Sequence, residues 1–266
     1  MTVPLSPITR RARHLADLAG PDVERLLTDR SILVQPLGAI EQHGPHLPLN
    51  TDLVVAQAVA EAAVAQYGDE VDAWVLPPLA YTKSNEHAWS SGTIWLSATT
   101  LLAVLDDIGR CVATTAAKRL VFMNGHGGNS SLVATANREI RLHHGLMTFL
   151  THPGVPPDQG GTSPVGEHGM GVHGGTDETS VMLHLAPELV DMSKAERRIP
   201  EGMIDNKYVK FGGRVSFGWM SNDFFDDGYI GDPTTASAEH GKQLFEGSVT
   251  AFGEALREIS TFNFGK

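Results

Sequence analysis

Short apolar runs rich in β-branched residues alternate with longer Ala-rich or amphipathic segments, and this alternation limits the folds open to the chain. SILVQPLGA (31–39) precedes DLVVAQAVAEAAVAQY (52–67), and AWVLPPLAY (73–81) precedes SATTLLAVLDDIGRCVATTAAK (97–118). RLVFMN (119–124) precedes NSSLVATANREIRLHH (129–144), and LMTFLTH (146–152) reads as a further strand. Strands joined by helix-length connections pair in parallel, so the reading is an α/β fold with three layers: a mostly parallel central sheet flanked by helices. At 266 residues, a single domain spanning 1–266 is expected. Two more helices follow, DETSVMLHLAPELV (177–190) and TASAEHGKQLFEGSVTAFGEALREI (235–259). Between them, residues 194–233 are irregular but carry Tyr208, Phe211, Phe217, Trp219, Phe224, Phe225 and Tyr229, an aromatic set suited to covering an apolar surface or a subunit contact.

Composition narrows the partners. A formal charge of −11 with no Lys/Arg cluster argues against phosphate-backbone recognition, so no nucleic acid is expected. No apolar run approaches the roughly 20 residues that span a bilayer, so no membrane is expected either. The start, MTVPLSPITRRARHL, has arginines without an apolar stretch behind them, unlike a secretion signal, and a cytoplasmic location is expected. The one cysteine, Cys111, lies in an apolar periodic segment and is expected to pack inside.

Three Gly-flanked clusters of His and carboxylate follow predicted strands or open helices. The first, GAIEQHGPHLPLNTD (38–52), holds Glu41, His43, His46 and Asp52. In extended chain, residues i and i+2 point the same way, which aims Glu41 and His43 at one place. Asn50 or Thr51 is the expected N-cap of the next helix, putting Asp52 in its first turn. The second cluster is MNGHGGN (123–129), with His126 at a strand's C-terminal end, the edge where open parallel sheets bind ligands. The third, GEHGMGVHGGTDETS (166–180), carries Glu167, His168, His173, Asp177 and Glu178. It closes a Gly/Pro-rich loop over 153–177, and the helix dipole alone accounts for an acidic residue at Asp177.

Glycine adds nothing to a core, so Gly-flanked clusters at successive strand ends point to a metal site. Mixed His and carboxylate donors without thiolate suit Zn²⁺, Mn²⁺ or Fe²⁺. An aspartate can bridge two ions ~3.5–4 Å apart, which generate a hydroxide at neutral pH. No GxGxxG after a strand, no GxxxxGK[ST] and no GxSxG occurs, which leaves nucleotide-phosphate binding and a serine nucleophile without a motif.

GAIEQHGPHLPLNTD, NEHAWSSGTI, MNGHGGN, VHGGTDETSVML and GDPTTASAEHGK together resemble the creatininase (creatinine amidohydrolase) family, in the family's order and over roughly residues 30–245. The resemblance implies a single α/β domain, two divalent metal ions per subunit, amide or lactam hydrolysis, and a homo-oligomer, often a hexamer. It implies that Glu41, Asp52 and His126 hold one metal and that His43 with the bridging Asp52 holds the other. The family's further glutamate, from a segment like GHYEN, is replaced here by Gly128, and Glu178 is the expected substitute. His173 matches the histidine that contacts substrate and transfers the proton, so His173 and Glu178 are the expected catalytic residues. Ser84, Glu86, His87 and Gly127 fall in the implied substrate-binding set, with SSGT in place of the more usual FPGT.

Creatininase closes tryptophans over a flat ring, whereas this chain has no tryptophan between Trp95 and Trp219. The family also contains a pyrimidine-nucleotide deformylase and a peptidase that trims the mycofactocin precursor. The expected activity is therefore hydrolysis of a C–N bond in a small amide, lactam or formamide by a metal-bridging hydroxide. The alternatives are trimming of a short peptide, or a metal- or ligand-binding module without activity.

Overall fold

Strand and helix alternate as the pattern requires. The computed structural model describes residues 13–154 and 164–265. The first twelve residues, read above as lacking an export signal, and 155–163 of the Gly/Pro-rich loop lie outside the described residues. In chain order the elements are α1 (Gly20–Leu26), β1 (Ile32–Leu37), α2 (Thr51–Val71), β2 (Ala73–Val75), α3 (Ala98–Val112), β3 (Arg119–Asn124), α4 (Ser130–His144), β4 (Met147–Thr151), α5 (Thr176–Leu185) and α6 (Ala238–Thr261), with short 3-10 turns between them. The four strands pair in parallel in the order β2-β1-β3-β4. Among the described residues no helix is long and apolar enough to cross a membrane.

The period of two along each strand divides the core between the two faces of the sheet. Ile32, Val34, Val121 and Met123 pack against Val59 and Ala63 of α2 and Phe245, Phe252 and Leu256 of α6. Leu33, Leu37, Leu120 and Phe122 turn the other way, onto Leu101 and Leu105 of α3 and Val133 and Ile140 of α4. β1 and β3 are thus buried on both faces and register side by side from Ile32↔Arg119 to Leu37↔Asn124. That register delivers their C-terminal ends, and the loops carrying the first two clusters, to neighbouring points on one edge of the sheet.

Three predicted elements end five or six residues earlier than expected. β2 ends at Val75 rather than Tyr81, because Pro77 and Pro78 offer no N–H to a ladder. α3 stops at Val112, where the hydroxyls of Thr114 and Thr115 donate to the carbonyls of Cys111 and Val112 at 2.7 and 2.8 Å. α5 stops at Leu185, ahead of Pro187. Cys111 is not packed inside: it sits on the outward side of α3 and is exposed, because the apolar stripe of that helix runs through Leu101, Leu105, Gly109 and Val112 instead. In the irregular 194–233 segment, Phe211 stacks with Phe217, Trp219 and Phe224, with ring centres 5.2–5.8 Å apart. This group covers Met170, Ile199 and Ile230 beside the third cluster.

Candidate metal centre

Past Leu37 the chain is no longer regular strand, but Ile40 still bridges Ile94 and His43 bridges Leu47, and these two bridges hold Glu41 and His43 toward one interior point. Asp52 reaches that point from the first turn of α2, where it was expected. His126 arrives from the loop after β3. Here Gly125 is required, since a Cβ at that position would collide with the backbone carbonyl of Asp52. The third cluster enters along the Ile230 strand-like bridge to His173, and Glu178 follows in the first turn of α5.

Three sets of side chains each place three potential ligand atoms within 4.8 Å of one another: Glu41, His43 and His173; Glu41, Asp52 and His126; and His43, Asp52 and Glu178. Asp52 connects two of them. Its Oδ1 lies 3.1 Å from Nε2 of His43, and its Oδ2 lies 3.2 Å from Nδ1 of His126. Oε1 of Glu41 is ringed by nitrogens of His126 at 3.2 Å, His87 at 3.3 Å and His173 at 3.8 Å. The imidazole of His173 lies against those of His43 and His87, with ring centres 4.2 and 4.3 Å away. Glu41 and His43 have no exposed surface.

Buried carboxylates normally collect hydrogen-bond donors. Here neither oxygen of Glu41, nor Oδ2 of Asp52, has a hydrogen-bond partner among the described residues, although Nδ1 of His126 lies 3.2 Å from an oxygen of each. Unmet lone pairs in a buried cluster cost free energy, and a divalent cation among them supplies the missing partner. The donor set is nitrogen and carboxylate oxygen, without sulfur. The residues present therefore fit metal ions of the Zn²⁺, Mn²⁺ or Fe²⁺ type.

The charges of this cluster shift one another's protonation. Burial alone would lower the pKa of His43, yet Asp52, Glu178 and Glu41 raise it to about 10. His126 is likewise opposed by burial and held well above its ordinary value by Glu41, Asp52 and Glu86. Asp52 resists burial and stays far below the usual carboxylate range because His43 and His126 flank it. Burial, with Asp52 and Glu41 nearby, pushes Glu178 up to about 7 in spite of His43. His173 goes the other way: burial and the neighbouring His43 and His87 hold it well below the ordinary histidine value. Its Nε2–H donates to the Gln42 carbonyl at 2.6 Å, which leaves Nδ1 as a lone pair on the Glu41 side.

The remaining predicted residues divide by position. His87 and Glu86, on one 3-10 turn, adjoin the centre, His87 beside Glu41 and Glu86 beside His126. Ser84 is fully buried and its hydroxyl has no partner among the described residues, while Gly127 is exposed at the rim. His46 takes no part in the three sets. Its Nε2 donates to the Gly174 carbonyl at 3.1 Å, tying the first cluster to the third, and burial lowers its pKa to about 4. Asp177 points away and pairs with His240 at 2.8 Å. Glu167 is buried apart from the centre, accepting from the N–H groups of Thr176 at 2.9 Å and Asp232 at 2.6 Å. At Gly128 a side chain has no room, since its Cβ would strike the Glu86 carboxylate and the His126 ring.

Three residues not anticipated from sequence hold this arrangement. Gln42 lies between the clusters: its side-chain amide reaches Nδ1 of His87 at 3.0 Å and the Gly228 carbonyl, and its Oε1 accepts from the N–H of Gly44. Ser221 accepts from the Trp89 indole at 2.7 Å, fastening the 194–233 segment over the 85–94 loop. Asn129 joins Lys83 to the His126 loop. No spacing rule identifies such residues, since each links segments far apart in sequence.

The family profile described as "Creatininase: Creatinine amidohydrolase" matches residues 16–256. A mycofactocin precursor peptide peptidase of Mycobacterium ulcerans is 35% identical over 243 residues, covering 89% of this chain and 88% of the relative. A creatinine amidohydrolase of Pseudomonas putida is 32% identical over 251 residues, covering 88% and 92%. Among solved structures, creatininase in a Mn form and a variant creatininase of Zn-Zn type both superpose with a TM-score of 0.71 at 27% identity; each covers 94% of this chain, against 100% and 99% of the solved chains. The chain belongs to the creatininase family.

Proposed function

We propose that this hydrolase cleaves a C–N bond of a small amide, lactam or formamide at a centre of two divalent ions held by Glu41, His43, Asp52, His126 and Glu178. The observation that carries the reading is the sharing of Asp52 between two buried ligand sets, His43 with Glu178 on one side and Glu41 with His126 on the other. When bound, such ions acidify a coordinated water and polarise a substrate carbonyl.

The chain's own residues supply the rest. His173 is neutral at neutral pH, with its tautomer fixed by the Gln42 carbonyl, so Nδ1 accepts the proton of the attacking water. As the C–N bond breaks, the same nitrogen returns that proton to the departing amine, and the second water proton passes from the new carboxylic or formic acid to the amine or solvent, leaving a carboxylate or formate. Glu178 is oriented by the N–H of Gly174 at 2.6 Å, one residue after His173, so ligand and proton carrier move as one unit. Trp89 and Ser221 fasten the 194–233 segment to the 85–94 loop beside the centre, an arrangement suited to small substrates.

A second reading, trimming of a short peptide, is favoured by the 35% identity to a mycofactocin precursor peptide peptidase. The same groups serve an amide in a peptide. The two separate by incubating metal-loaded protein with lactams and formamides in one series and short peptides in another. Turnover in the first series supports the proposal, and turnover of peptides alone transfers the assignment to the second reading.

Self-association belongs to the same proposal. Tyr208, Val209, Val215 and Met220 remain exposed on the 194–233 segment, and an oligomer would cover them. Light scattering that returns a monomer mass removes this part.

A further inference from the structure

Glu86, placed by the resemblance among the substrate-binding residues, makes its side-chain contacts with His126 and Lys83. Its Oε1 lies 3.1 Å from Nε2 of His126, and its Oε2 is paired with Nζ of Lys83 at 2.7 Å. Nε2 of His126 also donates to the Lys83 carbonyl at 2.9 Å. The other ring nitrogen, Nδ1, faces Glu41 and Asp52. Both acceptors on the outer side of the ring therefore come from one short segment, 83–86, and both favour the tautomer with its proton on Nε2 and its lone pair on Nδ1.

That segment is itself anchored to the His126 loop. The N–H of Lys83 donates to Oδ1 of Asn129 at 3.1 Å, and Asn129 in turn donates to Thr82 at 3.1 Å and Asn124 at 3.2 Å. On the far side, Ser221 donates to the Glu86 carbonyl at 3.2 Å. Glu86 is thus a carboxylate locked in place and aimed at a histidine, with a cation on its second oxygen to hold it ionised. Gly128 completes the arrangement: any side chain there would occupy the space taken by the Glu86 carboxylate and the edge of the His126 ring.

We infer that Glu86 is a positioning residue for the metal centre: it fixes the tautomer and orientation of His126 through Nε2, and Gly128 is glycine so that this carboxylate fits. The inference rests on the metal-dependent reading above and adds a residue behind the ligands. A carboxylate behind a ligating imidazole raises its basicity and restricts its rotation, and losing such a partner costs on the order of 10–100-fold in metal affinity. It also separates two neighbours on one turn, since His87 faces Glu41 and the interior while Glu86 works from outside.

The test is Zn²⁺ affinity by competition with a chromophoric chelator, measured on wild type, Glu86→Gln, Glu86→Ala and Gly128→Ala, with the absorption spectrum of the Co²⁺-loaded proteins as a second readout. Glu86→Gln keeps the shape and an acceptor but loses the charge, so it should bind about 10-fold more weakly. Glu86→Ala should approach a 100-fold loss. Gly128→Ala removes no polar group, yet should weaken binding because its methyl displaces Glu86 and the ring. The Co²⁺ bands should shift in all three, a change that a purely structural role would not produce. Glu70→Gln, which breaks a surface pair with Arg257, serves as the control and should match wild type. If wild type loads metal and the Glu86 variants load it as tightly, with unshifted bands, the inference is wrong and the metal centre stands. If wild type takes up no metal, the metal-dependent reading and this inference both fall. Glu86→Gln and Gly128→Ala decide the question even if Glu86→Ala does not fold.

Discussion

Oδ1 of Asp52 lies 3.1 Å from Nε2 of His43, although nine residues separate them in the chain. The contact exists because the intervening loop turns back through the His43–Leu47 bridge and enters α2 at Thr51, so the end of one strand and the start of the next helix meet. With Oδ2 reaching His126, one carboxylate joins two elements of the sheet edge.

Asp52→Asn keeps the shape and removes the charge. Two buried imidazoles then lose a counter-ion, and the metal-free protein should lose about 3 kcal/mol of unfolding free energy. Metal affinity should fall by at least about 10²-fold, beyond the loss typical of a supporting residue. Urea titration and chelator competition check the two effects separately.

His173→Ala distinguishes a proton carrier from a ligand, since His173 also lies within reach of Glu41 and His43. The expected result is unchanged metal stoichiometry and a turnover loss of roughly 10²-fold or more. Loss of one metal equivalent would reassign His173 as a ligand.

Metal uptake should release protons. His43, raised to about 10, is protonated at neutral pH, and Glu178, raised to about 7, is about half protonated. A cation displaces those protons, so affinity should rise as pH rises from 6 to 8. Calorimetric titrations of metal into apo-protein, in two buffers of different ionisation heat, should show net proton release; equal heats in both would contradict it.

Stability of the metal-free protein should fall in mild acid through His46. Its pKa is lowered to about 4 when folded and returns toward 6.5 on unfolding, so the unfolded chain binds more protons between those values. The favourable neutral form is fully available above 6.5, and the advantage is lost as pH falls toward 4. Glu178, raised to about 7, acts in the opposite sense, so the test is the difference between wild type and His46→Gln: the stability of wild type relative to the variant, from urea midpoints, should fall from pH 7 to 4.

The architecture was legible because strands buried on both faces and helix-length segments leave few alternatives, and RLVFMN was read to the residue. The ends were less so: Pro77 and Pro78 cut β2 short, and the exposed position of Cys111 depends on which stripe of α3 faces the core. At the site, glycines beside His and carboxylate were informative because packing does not explain them. Glu41, His43, Asp52, His126, His173 and Glu178 all converge on one point. Gln42 and Asn129 could not be found this way, since their amides hold segments together only once the chain has folded.

The most direct measurement is metal analysis of protein purified without an affinity tag, followed by chelation and reconstitution. Two transition-metal equivalents per chain are expected. Amide hydrolysis should vanish on chelation and return with Zn²⁺ or Mn²⁺. Protein with no stoichiometric metal that gains no hydrolysis on reconstitution would contradict the proposed function.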